Sequence, residues 1–292
     1  MSVIETNKLT KYYGRSRGIV DVDLAVEKGE IFGFIGPNGA GKSTTIRALL
    51  GLIFPTGGTG SIFGLDAVRN GRRIRRRLGY IPGEVEYYDR MSVRELMEYS
   101  ARFYGVELDG RFDHLVRLFE LDLKRNLSDL SMGNKRKVSI VLSLLHRPEL
   151  LILDEPTNGL DPLMQAHFYE VLRRENAEGV TVFLSSHILG EVQKVCGRVA
   201  IIKEGSVVAV EDIATLRGKH LNRIHVEFAE EVPEGRLEIA GTVSVEKRNA
   251  GYRILYSGDI NSLLTMLNRW KIRALTIEEP SLEEVFMHYY QS

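Results

Sequence analysis

Gly36-Pro37-Asn38-Gly39-Ala40-Gly41-Lys42-Ser43 fits the pattern G-x-x-x-x-G-K-[ST], with Thr44 next in line. In such a loop the glycines let backbone amides turn inward around phosphate groups. A lysine at the position of Lys42 neutralises the β- and γ-phosphates, and a hydroxyl at Ser43 ligates Mg²⁺. The loop follows the apolar run Ile31-Phe32-Gly33-Phe34-Ile35 and precedes an apolar helix carrying Ile46, Leu49 and Leu50. The start of that helix adds a positive dipole end. This strand–loop–helix context separates the motif from a chance glycine loop.

Two further groups stand at the ends of apolar runs. Leu150-Leu151-Ile152-Leu153 ends at Asp154-Glu155. A carboxylate at such a strand end holds Mg²⁺ through water, which suits Asp154. Glu155 is then placed to polarise the water that attacks the γ-phosphate. An Asp-Glu pair alone reads as solvated surface; behind an all-apolar strand, in a chain with the phosphate loop, it reads as functional. Val180-Thr181-Val182-Phe183-Leu184 ends at Ser185-Ser186-His187. A histidine that follows a third buried strand is a candidate partner for the same chemistry.

The elements that must position these groups are legible in outline. Short apolar runs capped by polar residues read as strands buried on both faces of a parallel sheet covered by helices. Ligands of such sheets bind at the carboxyl ends of the strands, where all three runs place their polar residues. Between the first two runs, from about Ser92 to Leu145, the spacing predicts a mostly helical inserted subdomain. Ser92 and Glu95 form a capping box, Leu96, Met97, Tyr99, Ser100 and Phe103 follow helical spacing, and Leu115, Leu118 and Phe119 suggest a second helix. After about Gly218 the pattern changes. Ile224–Phe228, Val243–Glu246 and Tyr252–Tyr256 alternate like strands. Ile260 to Trp270 reads as a helix, Ala274–Ile277 as a strand, and Ser281 to Tyr290 as a final helix with Ser281 and Glu284 as its capping box. The division is therefore residues 1–218 and a small α+β domain at 219–292.

The 292 residues are 43% hydrophobic and 27% charged, which excludes a disordered chain. Lys+Arg and Asp+Glu are both 39, so no global charge favours nucleic acid or acidic lipid. One cysteine, Cys196, excludes an intrachain disulfide and a zinc site built on several thiolates, and reads as a packed thiol. The N-terminus lacks a signal peptide, and no apolar run approaches the ~18 residues of a membrane span. Arg69, Arg72, Arg73, Arg75, Arg76 and Arg77 form a basic run, read first as a solvated helix face and second as a contact for nucleic acid, lipid or a partner.

The phosphate loop, then Leu130-Ser131-Met132-Gly133-Asn134, then Leu151–Pro156, then Asn158-Gly159-Leu160-Asp161, then Ser186-His187, resemble in order the motifs of ATP-binding cassette (ABC) transporter ATPase subunits. The resemblance covers roughly Val3 to Arg217. It implies a P-loop NTPase core of mostly parallel sheet with helices on both faces, an antiparallel β portion near the N-terminus, the helical insertion and the small C-terminal α+β domain. It implies ATP and Mg²⁺ as ligands, with Ser131, Met132 and Gly133 acting across a homodimer or paired subunit. Ser131 also reads simply as a helix cap. It further implies His187 as the switch histidine, Asp161 in the loop that communicates across the dimer, and Tyr13 as the aromatic stacked on adenine, with Tyr12 an open alternative. Separate transmembrane subunits would hold the chain on the inner face of the cell membrane, in the cytoplasm. No nucleic acid is expected.

Two departures stand out. Met132 and Asn134 replace the glycine and glutamine usual in the signature, and Gly83, after Pro82, stands where the family usually has a glutamine. The expectation is that Glu84 or a water takes its place. The ending Glu279-Pro280-Ser281-Leu282-Glu283-Glu284-Val285-Phe286 resembles the extension on export-type bacterial subunits. The rival readings are a soluble ABC ATPase acting on ribosomes or RNA, which usually carries two cassettes in one chain, a DNA-repair ATPase, which carries a long coiled coil, and a nucleotide-gated scaffold without turnover, against which Glu155 argues.

Overall fold

The computed structural model describes residues 2–87, 91–218, 222–248 and 251–278. The chain divides into two compact units, Met1–Glu211 and Asp212–Ser292. That boundary lies before the change read at Gly218, because a short helix groups with the strands that follow it.

In chain order the first unit contains β1 (Ser2–Tyr13), β2 (Ser16–Glu27), β3 (Ile31–Ile35), α1 (Lys42–Leu49), β4 (Gly57–Ile62), β5 (Leu65–Asp66), α2 (Gly71–Arg75) and β6 (Leu78–Ile81). The helical stretch follows, with α3 (Val93–Tyr104), α4 (Gly110–Leu118) and α5 (Met132–Leu144). Then come β7 (Leu150–Asp154), α6 (Pro162–Ala177), β8 (Thr181–Ser186), α7 (Leu189–Val195), β9 (Arg198–Lys203) and β10 (Ser206–Asp212). The second unit contains α8 (Ile213–Gly218), β11 (Asn222–Phe228), β12 (Thr242–Arg248), β13 (Gly251–Tyr256), α9 (Ile260–Leu267) and β14 (Ile272–Glu278).

The three apolar runs become β3, β7 and β8, buried at every position as strands covered on both faces must be. They lie in a six-stranded sheet of order β10-β9-β3-β8-β7-β6, within which β9-β3, β3-β8, β8-β7 and β7-β6 pair in parallel. β6 and β9 were not among the apolar runs. β6 is interrupted by Gly79, where a Cβ would lie 2.1 Å from the Ser143 carbonyl of α5. A second, antiparallel sheet of order β2-β1-β4-β5 occupies the N-terminal part. Ile46, Ala48 and Leu49 of α1 share one core with Ile4, Leu9 and Val22 of this sheet and with Phe32, Phe34, Ile152 and Phe183 of the parallel one.

The capping box at α3 is present. The Glu95 amide donates to Ser92 Oγ (3.2 Å) and the Ser92 amide to Glu95 Oε2 (2.7 Å). Leu96 and Met97 are buried, whereas Tyr99 and Phe103, at the same helical spacing, are exposed. α5 is buried from Arg136 to Val141 and again at Ser143 and Leu144, so it is a core helix rather than an amphipathic one. Of the basic run, Arg75 donates to the Leu50 carbonyl and Arg77 forks onto Glu149 while lying over the Phe63 ring; Arg69, Arg72, Arg73 and Arg76 are exposed. Cys196 is buried, and that burial pushes its thiol pKa up.

In the second unit the order β12-β13-β11-β14 leaves β11 between the two strands joined by α9, a split β-α-β arrangement. Ile224, Val226, Ile254, Tyr256, Leu263 and Leu267 form its core. α9 stops at Leu267, before the expected Trp270, whose indole packs edge-on against Phe228. The final helix read at Ser281–Tyr290 lies outside the described residues. No helix among the described residues is long and apolar enough to cross a membrane.

Candidate active site

The carboxyl ends of β3, β7 and β8 bring the candidate groups together. After β3 the chain turns through Gly36–Gly41 into α1. Gly41 has φ +110°, and a Cβ there would lie 2.7 Å from Ile19 Cγ2, so only glycine fits the turn. Lys42 is 5% exposed, and its Nζ folds back to donate to the Gly36 (2.7 Å) and Pro37 (3.2 Å) carbonyls. The half-buried Ser43 and Thr44 hydroxyls make no hydrogen bond among the described residues.

After β7, Asp154 is 2% exposed and Glu155 9%. Ser185 Oγ, at the end of β8, donates to Asp154 Oδ1 (2.6 Å), which leaves Oδ2 turned toward Gly83. Glu155 sits at φ +49°, a left-handed conformation unusual outside glycine and characteristic of functional sites. Its amide donates to the Ser185 carbonyl (3.1 Å), which holds that conformation. Its Oε1 is 3.2 Å from Lys42 Nζ, and its Oε2 is 2.8 Å from His187 Nδ1. One carboxylate thus joins the phosphate-loop lysine to the strand-end histidine. The negative charge of Asp154 also reaches Tyr80, whose phenol is pushed up to about 12, mainly by burial.

Tyr13 and Thr44 both approach Gly18. A Cβ at Gly18 would lie 3.0 Å from Tyr13 Cε2 and 3.2 Å from Thr44 Cγ2, so the Tyr13 ring borders the start of α1. Tyr12, the neighbouring residue on the strand, donates its backbone amide to Thr56 Oγ1 (3.1 Å). Ser131 caps α5 by accepting from the Asn134 amide (3.3 Å), and Asp161 caps α6 by accepting from the Met164 amide (2.9 Å). Ser131-Met132-Gly133 abuts the Asn158–Asp161 loop. A Cβ on Gly133 would lie 2.5 Å from the Gly159 carbonyl, and Met132, 71% exposed, has Sδ 3.6 Å from the Cβ position of Gly159. Glu84 is exposed and makes no hydrogen bond among the described residues.

Sequence reasoning missed the supports of this site. Ser185 orients Asp154. Behind His187, the buried Glu191 accepts from Thr157 Oγ1 (2.6 Å) and Ser186 Oγ (2.8 Å) and ties together the ends of β7 and β8. The signal was only a carboxylate on an otherwise apolar helical face. Arg136, 2% exposed, was also missed.

A hydroxyl and a carboxylate are hard oxygen donors of the kind that bind Mg²⁺ jointly with substrate phosphates. No group of three or more His, Cys, Asp or Glu side chains able to hold a metal by itself occurs among the described residues. The free Ser43 hydroxyl and the unshared Asp154 Oδ2 fit that divided coordination. The buried Glu155 Oε1 is ion-paired with Lys42 but accepts no hydrogen bond, so that oxygen has room for a further donor such as a water.

Comparison with known proteins gives a consistent outcome. The family model described as ABC transporter matches residues 19–158, and that described as ATP-binding protein DrrA1-3-like, C-terminal domain, matches residues 213–290. The chain is 36% identical over 304 aligned positions to the bacitracin transport ATP-binding protein BcrA of Bacillus licheniformis, covering 98% of this chain and 96% of that one. It is 32% identical to the linearmycin resistance ATP-binding protein LnrL of Bacillus subtilis, covering 71% and 68%. A solved structure of an ATP binding subunit of an ABC transporter superposes with a TM-score of 0.69 at 33% identity, covering 74% of this chain and 92% of that one.

Proposed function

We propose, from the premise that this chain belongs to the ABC transporter family of ATP-binding subunits, that two copies close on a pair of ATP molecules and that their hydrolysis drives export through separate membrane subunits. The chain is an ATPase, and its roles divide as follows. Lys42 and the Gly36–Gly41 amides bind the phosphates, and Tyr13 stacks on the adenine. Ser43 and Asp154 hold Mg²⁺, which when bound neutralises charge on the β- and γ-phosphates. Glu155 accepts the proton of the attacking water, and His187 orients it through the 2.8 Å contact with Glu155. Ser131, Met132 and Gly133 of one copy, with Asp161 at the end of the loop that abuts Gly133, face the nucleotide of the other.

The observation that carries this reading is the Glu155 carboxylate, buried and shared between Lys42 and His187. A base so placed is wired both to the phosphate loop and to the strand-end histidine. Exposed Leu52, beside a cavity of about 330 Å³ lined by Tyr104, Pro82 and Leu142, supports docking of a membrane partner, which would hold the chain at the inner, cytoplasmic face.

The test replaces Glu155 with glutamine, which keeps the shape and removes the base. Hydrolysis should fall by roughly 10²–10⁴-fold, and ATP should then hold two copies together in sedimentation. Adding Ser131→Ala should undo the pairing. Retained turnover in Glu155→Gln, or pairing indifferent to Ser131, would reject the reading.

A further inference from the structure

Arg136 lies in the second turn of α5, five residues from the cap Ser131, or about 7.5 Å along the helix axis. Its guanidinium reaches out of the helical stretch to the loop after β6. Nη1 donates to the Pro82 carbonyl and Nη2 to the Gly83 carbonyl, each at 2.5 Å. Among the described residues its Nε has no hydrogen-bond partner and no carboxylate lies within ion-pair distance. Burial pulls the guanidinium pKa down, against the attraction of Tyr87, Asp154 and Glu155.

A buried cation without a carboxylate partner is costly, and an apolar side chain of similar volume would pack α5 more cheaply. What the arginine supplies is a planar fork that grips two consecutive carbonyls at once. The gripped loop is the one that abuts the metal-site carboxylate, since a Cβ on Gly83 would lie 3.3 Å from Asp154 Oδ2. Gly83 has no side chain with which to reach either Asp154 or α5. The connection between them therefore runs the other way, from helix to loop.

We propose that Arg136 is the positioning residue that couples the Asp154 end of the parallel sheet to the Ser131 end of α5, through the Pro82 and Gly83 carbonyls. This rests on the site reading above and adds a residue that touches neither nucleotide nor metal. A shift of the loop against Asp154 moves the fork, and the fork moves the helix whose first turn carries Ser131. Exposed Glu84 has no part in it.

The experiment uses the full chain with Arg136→Gln and Arg136→Lys, each also combined with Glu155→Gln. A fluorescent ATP analogue reads affinity, steady-state hydrolysis reads kcat and KM, and sedimentation reads pairing. Arg136→Gln should bind the analogue within about twofold of the parent, while kcat falls about tenfold or more and the Glu155→Gln pair no longer forms. Ser131→Ala and Arg136→Gln together should be no worse than the weaker single variant, because both break one linkage. Arg136→Lys, which keeps the charge but loses the fork, should lie between, with kcat down by about threefold at unchanged affinity. It decides the matter if the glutamine variant melts early. Unaltered kcat and pairing in Arg136→Lys, affinity lost in step with kcat, or effects that multiply with Ser131→Ala would each overturn the proposal. If Glu155→Gln alone fails to pair in the otherwise unaltered chain, the site reading fails instead, whatever Arg136 does.

Discussion

The parallel sheet of the first unit and the antiparallel sheet of the second are built from strands of similar length, yet they treat charge in opposite ways. At the carboxyl ends of β3, β7 and β8 the chain buries Lys42, Asp154 and Glu155 within reach of one another. Arg136, Lys137, Glu175 and Glu191 are also buried in this unit. In the second unit no charged residue is buried among the described residues, and ion pairs such as Lys247–Glu231 and Arg248–Glu246 are exposed, with Arg223 of the Arg223–Glu278 pair half-buried. Burying a charge costs several kcal/mol unless it is paired and hydrogen-bonded. A fold keeps such groups where they do something that an apolar residue cannot. The second sheet, closed around Ile224, Ile254, Tyr256 and Leu263, has the chemistry of a packing module.

The sharpest way to break this comparison is to remove one lysine from each unit. Lys42→Ala takes away the cation shared by the phosphate loop and Glu155, and kcat should fall by roughly 10²–10³-fold. Lys247→Ala removes one partner of an exposed pair, and unfolding free energy should move by less than about 0.5 kcal/mol with hydrolysis unchanged. Hydrolysis assays and thermal melts on the two variants read both sides. Equal losses of rate would erase the distinction.

The second unit should instead answer to its core. Ile254 is fully buried in β13, and Ile254→Ala should cost about 2–5 kcal/mol of that unit's stability in urea unfolding. KM for ATP should stay within about twofold. A KM that rises together with the lost stability would mean that the packing module also shapes the nucleotide site.

How much of this was legible in the residues follows the same divide. The phosphate loop, the three buried strands and the capping box at Ser92 are local signals, written in consecutive residues, and each appears where the spacing puts it. The parallel order β9-β3-β8-β7-β6 is non-local, and β6 and β9 were hidden by Gly79 and by flanking charges. Tyr99 and Phe103 fitted the helical period set by Leu96 and are nevertheless exposed, because period shows which residues share a side and not how far along the helix that side is covered. Ser185, Glu191 and Arg136 act across elements more than 25 residues apart or from inside apolar faces, and no short motif marks them. Sequence shows what must touch the ligand more readily than what holds those groups in place.

A further effect concerns a half-buried group that belongs to the first unit but to none of its chemistry. His146 Nε2 lies 3.0 Å from the Leu78 carbonyl, so that nitrogen carries the proton. The ring stacks on Tyr104 with centroids 3.8 Å apart, and Nδ1 is buried without a partner. Burial pulls the pKa of His146 below its ordinary value of about 6.5, helped by the charge of Arg111, while the bond to Leu78 opposes the shift. As pH falls through about 6.5 the unfolded chain takes up a proton that the folded chain still refuses, so stability is lost on acidification in that window. His146→Phe keeps the stack, forfeits the Leu78 bond and removes the titration. Its unfolding free energy at pH 7.5 should drop by about 1 kcal/mol, while its decline between about pH 6.5 and 5 should be shallower than the parent's. All other titrating groups are common to both proteins, so the difference between the two curves isolates this one. Parallel curves would mean that the imidazole gains its proton as easily in the folded interior as in water, and that this unit's tolerance of buried charge extends beyond the residues that bind phosphate.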